Sequence, residues 1–158
     1  MAIYQYKNLA LEVKDIDVTN RIVSGYFSAF DKVDTYNEVV KKGAFKKTIK
    51  DQGPGSVQPR IKHILNHDIN MPLGLLTELK EDNFGLLYRS QIGTNAAGVD
   101  FMKMLDSGLI TEHSIGYQTV KYNQVAEWDK VKAGEAARAL TEIKLYEGSS
   151  LTGWGVNQ

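Results

Sequence analysis

Short strand-like segments, separated by residues that favour turns, dominate this chain and limit the folds it can adopt. Near the N-terminus Leu9, Leu11 and Val13 alternate with other residues, the pattern of a strand that buries one face. Helical patterns are too few for regular βαβ alternation. The predicted class is therefore α+β and mostly β: an antiparallel sheet or β-barrel of about seven strands with helices packed outside. The other strands are predicted at 21–30, 60–67, 73–79, 84–92, 113–122 and 139–146.

Two helices and several turns are predicted between these strands. Apolar spacing indicates a short helix over 44–50 and a longer one over 96–107, with Gly108 placed to end the second. The segment 15–20, in which two aspartates, a threonine and an asparagine favour turns, is predicted to be the turn of an opening hairpin. Gly25, inside the next strand, predicts a β-bulge or a close approach of another backbone.

The composition excludes several classes of protein. The 158 residues suit one domain over 1–158, and nineteen basic residues balance nineteen acidic ones, so we expect no nucleic-acid and no membrane partner. The chain has no cysteine, which excludes a disulfide, a thiol nucleophile and a cysteine-ligated zinc ion. No apolar run approaches the roughly 18 residues of a membrane span, and no signal-peptide pattern opens the chain. A soluble protein, intracellular where it is made, is expected.

Three residues spread along the chain have the side chains that a serine hydrolase requires. The Ser114 hydroxyl is a nucleophile only if a neighbouring base takes its proton, and histidine, which titrates near neutral pH, is such a base. If His67 ends one predicted strand and Ser114 begins another, the two side chains meet at one rim of the sheet. Glu147 or Asp68 would then hold the imidazole in the correct tautomer. His113 is a poorer base for Ser114, because adjacent residues of a strand point to opposite faces.

Other chemistries receive less support from the residues. His63 and His67 lie four positions apart with Asp68 next to them, but the glutamate of the His-Glu-x-x-His zinc motif is missing and only one further histidine exists. Neither glycine-rich phosphate-binding motif occurs. We therefore expect no metal ion and no cofactor. A serine and a histidine near turns also have ordinary structural roles, so the residues alone leave both a hydrolase and a non-catalytic protein open.

A series of short motifs resembles the caudovirus prohead proteases, the maturation proteases of tailed bacteriophages, which are distantly similar to herpesvirus assemblins. The motifs occur in the family's order and cover most of the chain. They are GYFSAFD at 25–31, EVVKKGAF at 38–45, LNHD at 65–68, PLG at 72–74, GLL at 85–87, GVD at 98–100, LDSG at 105–108, SIGY at 114–117 and LYEGSSL at 145–151.

The resemblance implies roles for three residues and a fold. The family's histidine falls on His67, its nucleophile in the Ser-Ile-Gly-aromatic motif on Ser114, and its third member on Glu147. It also implies an antiparallel β-barrel flanked by helices, in agreement with the strand pattern. The oxyanion hole is left open between backbone amides at 114–116 and a cationic side chain such as Arg138.

The resemblance also implies substrates, partners and a location. Family members cleave scaffolding regions and the N-terminal segment of capsid proteins inside the prohead, and usually their own chain. The expected partners are thus the major capsid protein with its scaffolding segment, with self-cleavage and a homodimer as further expectations, in the host cytoplasm and within the prohead. The alternative is a non-catalytic module on the same fold that binds capsid or scaffold protein.

Overall fold

Nine strands of one sheet and two α-helices make up most of the described residues. The computed structural model describes the backbone of residues 5–9 and all atoms of 15–110 and 112–152. The strands are β1 (Gln5–Leu9), β2 (Asp15–Asp17), β3 (Ile22–Ala29), β4 (Glu38–Val40), β5 (Lys62–Leu65), β6 (Asp68–Glu81), β7 (Gly85–Ile92), β8 (Glu112–Gln124) and β9 (Arg138–Leu151). The helices are α1 (Lys46–Gln52) and α2 (Ala96–Asp106), and a 3₁₀ turn covers Trp128–Lys130.

The sheet is open and mixed, so the prediction of a closed antiparallel barrel was wrong, whereas the mostly-β class is confirmed. The strand order is β1-β8-β9-β5-β6-β7-β3-β2, which leaves β1 and β2 as two unjoined edges among the described residues. Strands β4 and β5 both run parallel to β9, on the side opposite β8. The sheet is nevertheless strongly curled, since Cα atoms of β3 lie within 8 Å of Cα atoms of β8 and β1.

Helix α1 closes a gap along β9 between its two parallel neighbours. Strand β4 pairs with the start of β9 and β5 with its end, which leaves the middle of β9 without a strand on that side. There the Ile143 amide donates to the Ala44 carbonyl and the Leu145 amide donates to Thr48 Oγ1, each at 3.0 Å. Helix α2 packs on β6 and β7. No helix in the described part of the chain is long and apolar enough to cross a lipid bilayer.

Both helices and most strands lie close to their predicted places, but the opening hairpin is shifted. Asp15–Asp17 forms strand β2 rather than the predicted turn, because it pairs antiparallel with the start of β3. The predicted strand residues Leu11 and Val13 lie outside the described residues. The bulge expected near Gly25 occurs two residues later, at Phe27. Gly108 follows α2 with a positive φ of 74°, as predicted for a glycine that ends a helix.

The interior of the curled sheet contains an aromatic stack surrounded by buried histidines. Phe27 stacks on Tyr88 with ring centroids 3.9 Å apart. The rings of His63 and His113 are in T-shaped contact with Phe27 and in tilted contact with Tyr88. The two ring nitrogens of His63 each lie 2.9 Å from a serine hydroxyl, on Ser90 and Ser150. Such partners are what buried polar groups require. The stack therefore combines apolar packing with hydrogen bonds to both ring nitrogens of His63.

The stability of the fold should fall with acid because of His63. Burial, aided by the nearby His113, lowers the pKa of His63 to about 3, whereas an unfolded histidine titrates near 6.5. Between these two values the unfolded chain binds a proton that the folded chain does not, so the free energy of unfolding decreases as the pH falls through this window, by about 1.4 kcal/mol per pH unit. NMR titration should find the His63 ring neutral at pH 5, and urea unfolding of a His63→Gln variant should depend less steeply on pH. Parallel pH dependences for the two proteins would contradict this prediction.

Candidate active site

A two-residue turn between β5 and β6 holds His67. Leu65 pairs with Asp68, and the two residues between them, Asn66 and His67, have φ angles of 52° and 59°. Two consecutive left-handed residues form a tight hairpin turn. Such a conformation is uncommon for any residue other than glycine, although asparagine and histidine adopt it more often than most. Unusual backbone conformations of this kind cluster at functional sites. The Asn66 side chain ties the turn to the end of β9, donating to Thr152 Oγ1 and accepting from the Thr152 amide, both at 3.0 Å.

His67 forms a nearly buried pair with Glu147. Nδ1 of His67 contacts Oε1 of Glu147, and only 3% of the His67 side chain and 10% of the Glu147 side chain are exposed. Because a carboxylate accepts hydrogen bonds, the proton lies on Nδ1 in this contact. Ser149 connects the same two residues: its hydroxyl donates to Glu147 Oε2 at 2.7 Å and accepts from the His67 amide at 3.1 Å. Ser149 thus fixes the carboxylate and the turn together.

Ser114 lies on the strand next to this pair and on the same face of the sheet. It is directly opposite Ser149 in the antiparallel β8–β9 register, and directly opposite residues share a face. Glu147 lies two residues before Ser149 and so also shares that face. The Ser114 side chain is fully buried, and its hydroxyl makes no hydrogen bond to any residue of the described chain. Buried hydroxyls nearly always have a partner, so this one is exceptional.

A glycine and a β-bulge give Glu147 its position. Gly116 is directly opposite Glu147, and a Cβ atom at Gly116 would lie 2.4 Å from Glu147 Oε1. The carboxylate therefore occupies the space that any other residue at position 116 would fill. In the register, Gly116 pairs with Glu147 but Tyr117 pairs with Leu145, so Tyr146 is an extra residue on β9. Bulges of this kind redirect side chains next to functional sites.

The other predicted candidates lie elsewhere or have different contacts. Asp68, the alternative partner of His67, accepts instead from the Asn70 amide at 2.9 Å. His113 is on the interior face, where Nε2 lies 2.8 Å from Tyr88 Oη. Arg138, the candidate oxyanion donor, pairs with buried Glu38 at 2.6 Å. It lies at the opposite end of β9 from Glu147, roughly 25–30 Å away at the usual rise of a strand.

The fold does not assemble a metal site from His63, His67 and Asp68. His63 bonds to Ser150 on the interior face, whereas His67 bonds to Glu147 on the other face, so the two histidines diverge. The turn at 66–67 breaks the regular alternation on which their shared face depended. Among the described residues there is no group of three or more histidine, aspartate and glutamate side chains that could hold a metal ion.

Sequence reasoning missed Ser149, Gly116 and Asn66, each of which contacts or positions the His67–Glu147 pair. The spacing of Glu147 and Ser149 places them on one face of any strand and would have indicated Ser149. No signal in the sequence indicates Gly116, since its role follows only from the pairing of β8 with β9. Asn66 had a signal, because asparagine is a preferred residue of left-handed turns.

Two known proteins are similar to this chain, one in sequence and one in structure. In sequence the chain is similar to the prohead protease of Enterobacteria phage HK97, with 26% identity over 121 residues; the match covers 73% of this chain and 52% of the relative, so the chain spans about half the relative's length. In structure it is similar to the capsid assembly protease of bacteriophage T4, with a TM-score of 0.68, 14% identity and coverage of 96% of this chain and 98% of that one. At that identity the likeness shows the fold alone.

The sequence pattern of one family extends over most of the chain. The pattern described as "Caudovirus prohead serine protease" matches residues 9–153, which include the segments that carry His67, Ser114 and Glu147. The chain therefore belongs to the caudovirus prohead serine protease family.

Proposed function

We propose that the protein is a serine endopeptidase of capsid maturation, with Ser114 as nucleophile, His67 as general base and Glu147 as the acid that orients His67. One observation carries the proposal: the His67–Glu147 pair lies on the same sheet face as the buried Ser114 hydroxyl, one strand away. The family supports the reaction class, and its named members support the biological setting. The nucleophile, base and orienting acid of serine hydrolases are defined by these roles and not by chain order.

The proposed reaction is acyl transfer from a peptide to water. Glu147 holds the His67 proton on Nδ1, which leaves Nε2 as the basic nitrogen. Nε2 takes the Ser114 proton as Oγ attacks the peptide carbonyl, and His67 then gives that proton to the leaving amine. Water hydrolyses the acyl-enzyme with His67 as base again. Since Ser114 has no exposed surface, a substrate must displace neighbouring groups before its carbonyl carbon reaches Oγ.

The contacts of Glu147 support an orienting role. Imidazolium forms during the reaction, and a carboxylate in a poorly hydrated position stabilises that charge more than one in water. Glu147 would be costly to bury as a lone charge, but it accepts from both His67 and Ser149. The contact with Glu147 also fixes the orientation of the imidazole.

The proposed substrates are the major capsid protein and its scaffolding segment, with self-cleavage as a further activity, in the prohead and the host cytoplasm. This part of the proposal rests on family membership and on the names of the relatives, a prohead protease and a capsid assembly protease. We further propose that residues 1–158 act as one protease domain and that the active form is a homodimer.

An active-site label tests the proposed nucleophile. A fluorophosphonate reacts with a serine that a neighbouring base activates, so we expect it to modify Ser114 slowly, because the side chain is buried. Mass spectrometry of the digested protein identifies the labelled residue. Labelling should be lost in the His67→Ala variant and kept in Ser107→Ala, which changes a serine that only ends α2.

The rival function is a non-catalytic module that binds capsid or scaffold protein. It predicts that the label does not react with Ser114, and that the protein binds the cognate capsid precursor without cleaving it. Incubation with the purified precursor therefore separates the two functions. Cleavage that continues at full rate in His67→Ala would contradict the proposed catalytic residues.

A further inference from the structure

A cleft of about 430 Å³ opens beside His67 and Glu147, and both residues contribute to its wall. Two features of the chain form it. Between the pairs Leu65–Asp68 and Ile64–Pro72, three extra residues of β6 bulge out of the sheet, which leaves the Ile69 side chain 82% exposed at the rim. On the opposite side the bulge in β9 turns Tyr146 toward the same space.

The cleft has apolar surface on one side and positive charge on the other. Ile69 and Pro72 form the apolar side, and Arg60 and Lys62 bring the cations. Lys62 lies close to the catalytic pair, because it is the register partner of Glu147 on the parallel strand β5, and neighbouring strands are about 4.8 Å apart. Arg60 is two residues before Lys62 and extends the positive charge outward along the cleft.

The cations are available to a ligand. Glu147, the carboxylate in the wall, is already engaged by His67 and Ser149. The Lys62 ammonium donates to the Pro59 carbonyl at 3.3 Å, a neutral partner. Neither Arg60 nor Lys62 forms an ion pair with any other residue that the structure describes. Two such cations beside a catalytic pair favour a negatively charged group of the substrate.

We propose that this cleft binds an acidic side chain of the substrate, an aspartate or glutamate within three residues of the scissile bond, with an adjacent apolar residue on Ile69 and Pro72. The inference rests on the proposed protease function and adds a substrate class to it. The guanidinium of Arg60 can donate two parallel hydrogen bonds to a carboxylate (a bidentate contact), whereas the ammonium of Lys62 acts as a point charge. The position of Lys62 relative to Ser114 sets the limit of three residues. The two residues are two strands apart and offset by two register positions, roughly 10–12 Å between Cα atoms, and each residue of an extended peptide spans about 3.4 Å.

Paired peptides test this specificity. The cleavage site in the cognate capsid precursor is mapped by mass spectrometry, and octapeptides across it are made with the acidic residue or with its amide, Gln for Glu or Asn for Asp. We expect the wild-type protein to cleave the acidic peptide with a kcat/KM about 5-fold to 10-fold higher, mostly through KM. The ratio between peptides does not depend on the fraction of active enzyme. It should decrease toward one in about 1 M salt, where the Debye length is roughly 3 Å.

Variants of Arg60 and Lys62 test whether these two residues cause the preference for the acidic peptide. Arg60→Gln/Lys62→Gln should bring the ratio close to one, whereas Lys130→Gln/Lys132→Gln, which removes two exposed cations at a distance, should leave it unchanged. If the double variant does not fold, the single variants and the salt dependence in the wild-type protein decide the question. A mapped site without an acidic residue within three positions, or equal rates for the two peptides, would overturn the proposal.

The test of the cleft can be separated from the test of the proposed protease function. Fluorescence anisotropy with Ser114→Ala measures binding of the uncleaved acidic and amide peptides without any catalysis. Tighter binding of the acidic peptide, lost in Arg60→Gln/Lys62→Gln, supports the cleft even if no peptide is cleaved. Cleavage that depends on Ser114 but is indifferent to the acid supports the protease and rejects the cleft.

Discussion

Replacing Ser114 by alanine should reduce the rate of precursor cleavage by about 10⁴-fold to 10⁶-fold, the range found when the nucleophile of a serine protease is removed. The substitution deletes a hydroxyl that has no hydrogen-bond partner among the described residues, so it removes no stabilising contact. The melting temperature should therefore change little while the activity is lost. Gel densitometry of the capsid precursor over time measures the rate, and circular dichroism measures the melting temperature.

Two comparisons make this result specific. Ser28→Ala changes another buried serine, on β3 and outside the proposed site, and should retain activity. Because Ser114 and His67 act as one unit, the double variant Ser114→Ala/His67→Ala should be no less active than Ser114→Ala alone. Losses that multiply in the double variant, or a Ser114→Ala protein with wild-type activity, would show that these residues do not act together.

Replacing Gly148 by alanine should destabilise the fold strongly, lowering the free energy of unfolding by about 3 kcal/mol, the upper end for overpacking a core. A Cβ atom at this position would lie 2.4–2.5 Å from three atoms of the Phe27 ring. Phe27 has little room to move, because it stacks on Tyr88 and is in T-shaped contact with His63. Differential scanning calorimetry should record a melting temperature lower by roughly 6–12 °C.

The chain offers a matched control for that substitution. Gly55 has open space around its Cβ position and no positive φ, so Gly55→Ala should change stability by no more than about 0.5–1 kcal/mol, and in the stabilising direction. Adding Phe27→Leu to Gly148→Ala should restore part of the loss, and a double-mutant cycle measures the coupling. Equal melting temperatures for the two alanine variants would refute the close packing described for Gly148.

The sequence predicts elements better than it predicts their partners. Alternation and apolar runs located most strands, and Gly108 located the end of α2, because these signals depend on local periodicity and backbone freedom. Strand β4 was missed because three residues carry no usable periodicity, and it exists only by pairing with β9. The open, mixed sheet was missed for a related reason, since parallel pairing of β5 with β9 joins residues about 85 positions apart in sequence, a relation that no local pattern encodes.

For the candidate site, too, the residues were easier to predict from the sequence than their partners. His67, Ser114 and Glu147 were identified from residue type and from the order of the motifs, and their catalytic roles stay predictions. The choice of Glu147 over Asp68 as the partner of His67 required the register of β9 against β5 and β8. Spacing along the chain placed His63 and His67 on one face, and the left-handed turn at His67 overrode that spacing.

The position of Ser114 and Glu147 inside the sheet has a consequence for how this protein is controlled. Strands β8 and β9 are hydrogen-bonded on both sides where they carry these residues, with β1 beyond β8 and β5 beyond β9. Amide groups in such strands exchange with solvent only when the whole fold opens, in contrast to those of loops, which fluctuate locally. The relative placement of the two residues is therefore as persistent as the folded state itself. In the proposed protease, the step open to control is therefore the access of a substrate to the buried Ser114, because the backbone positions of Ser114 and Glu147 do not change while the protein stays folded.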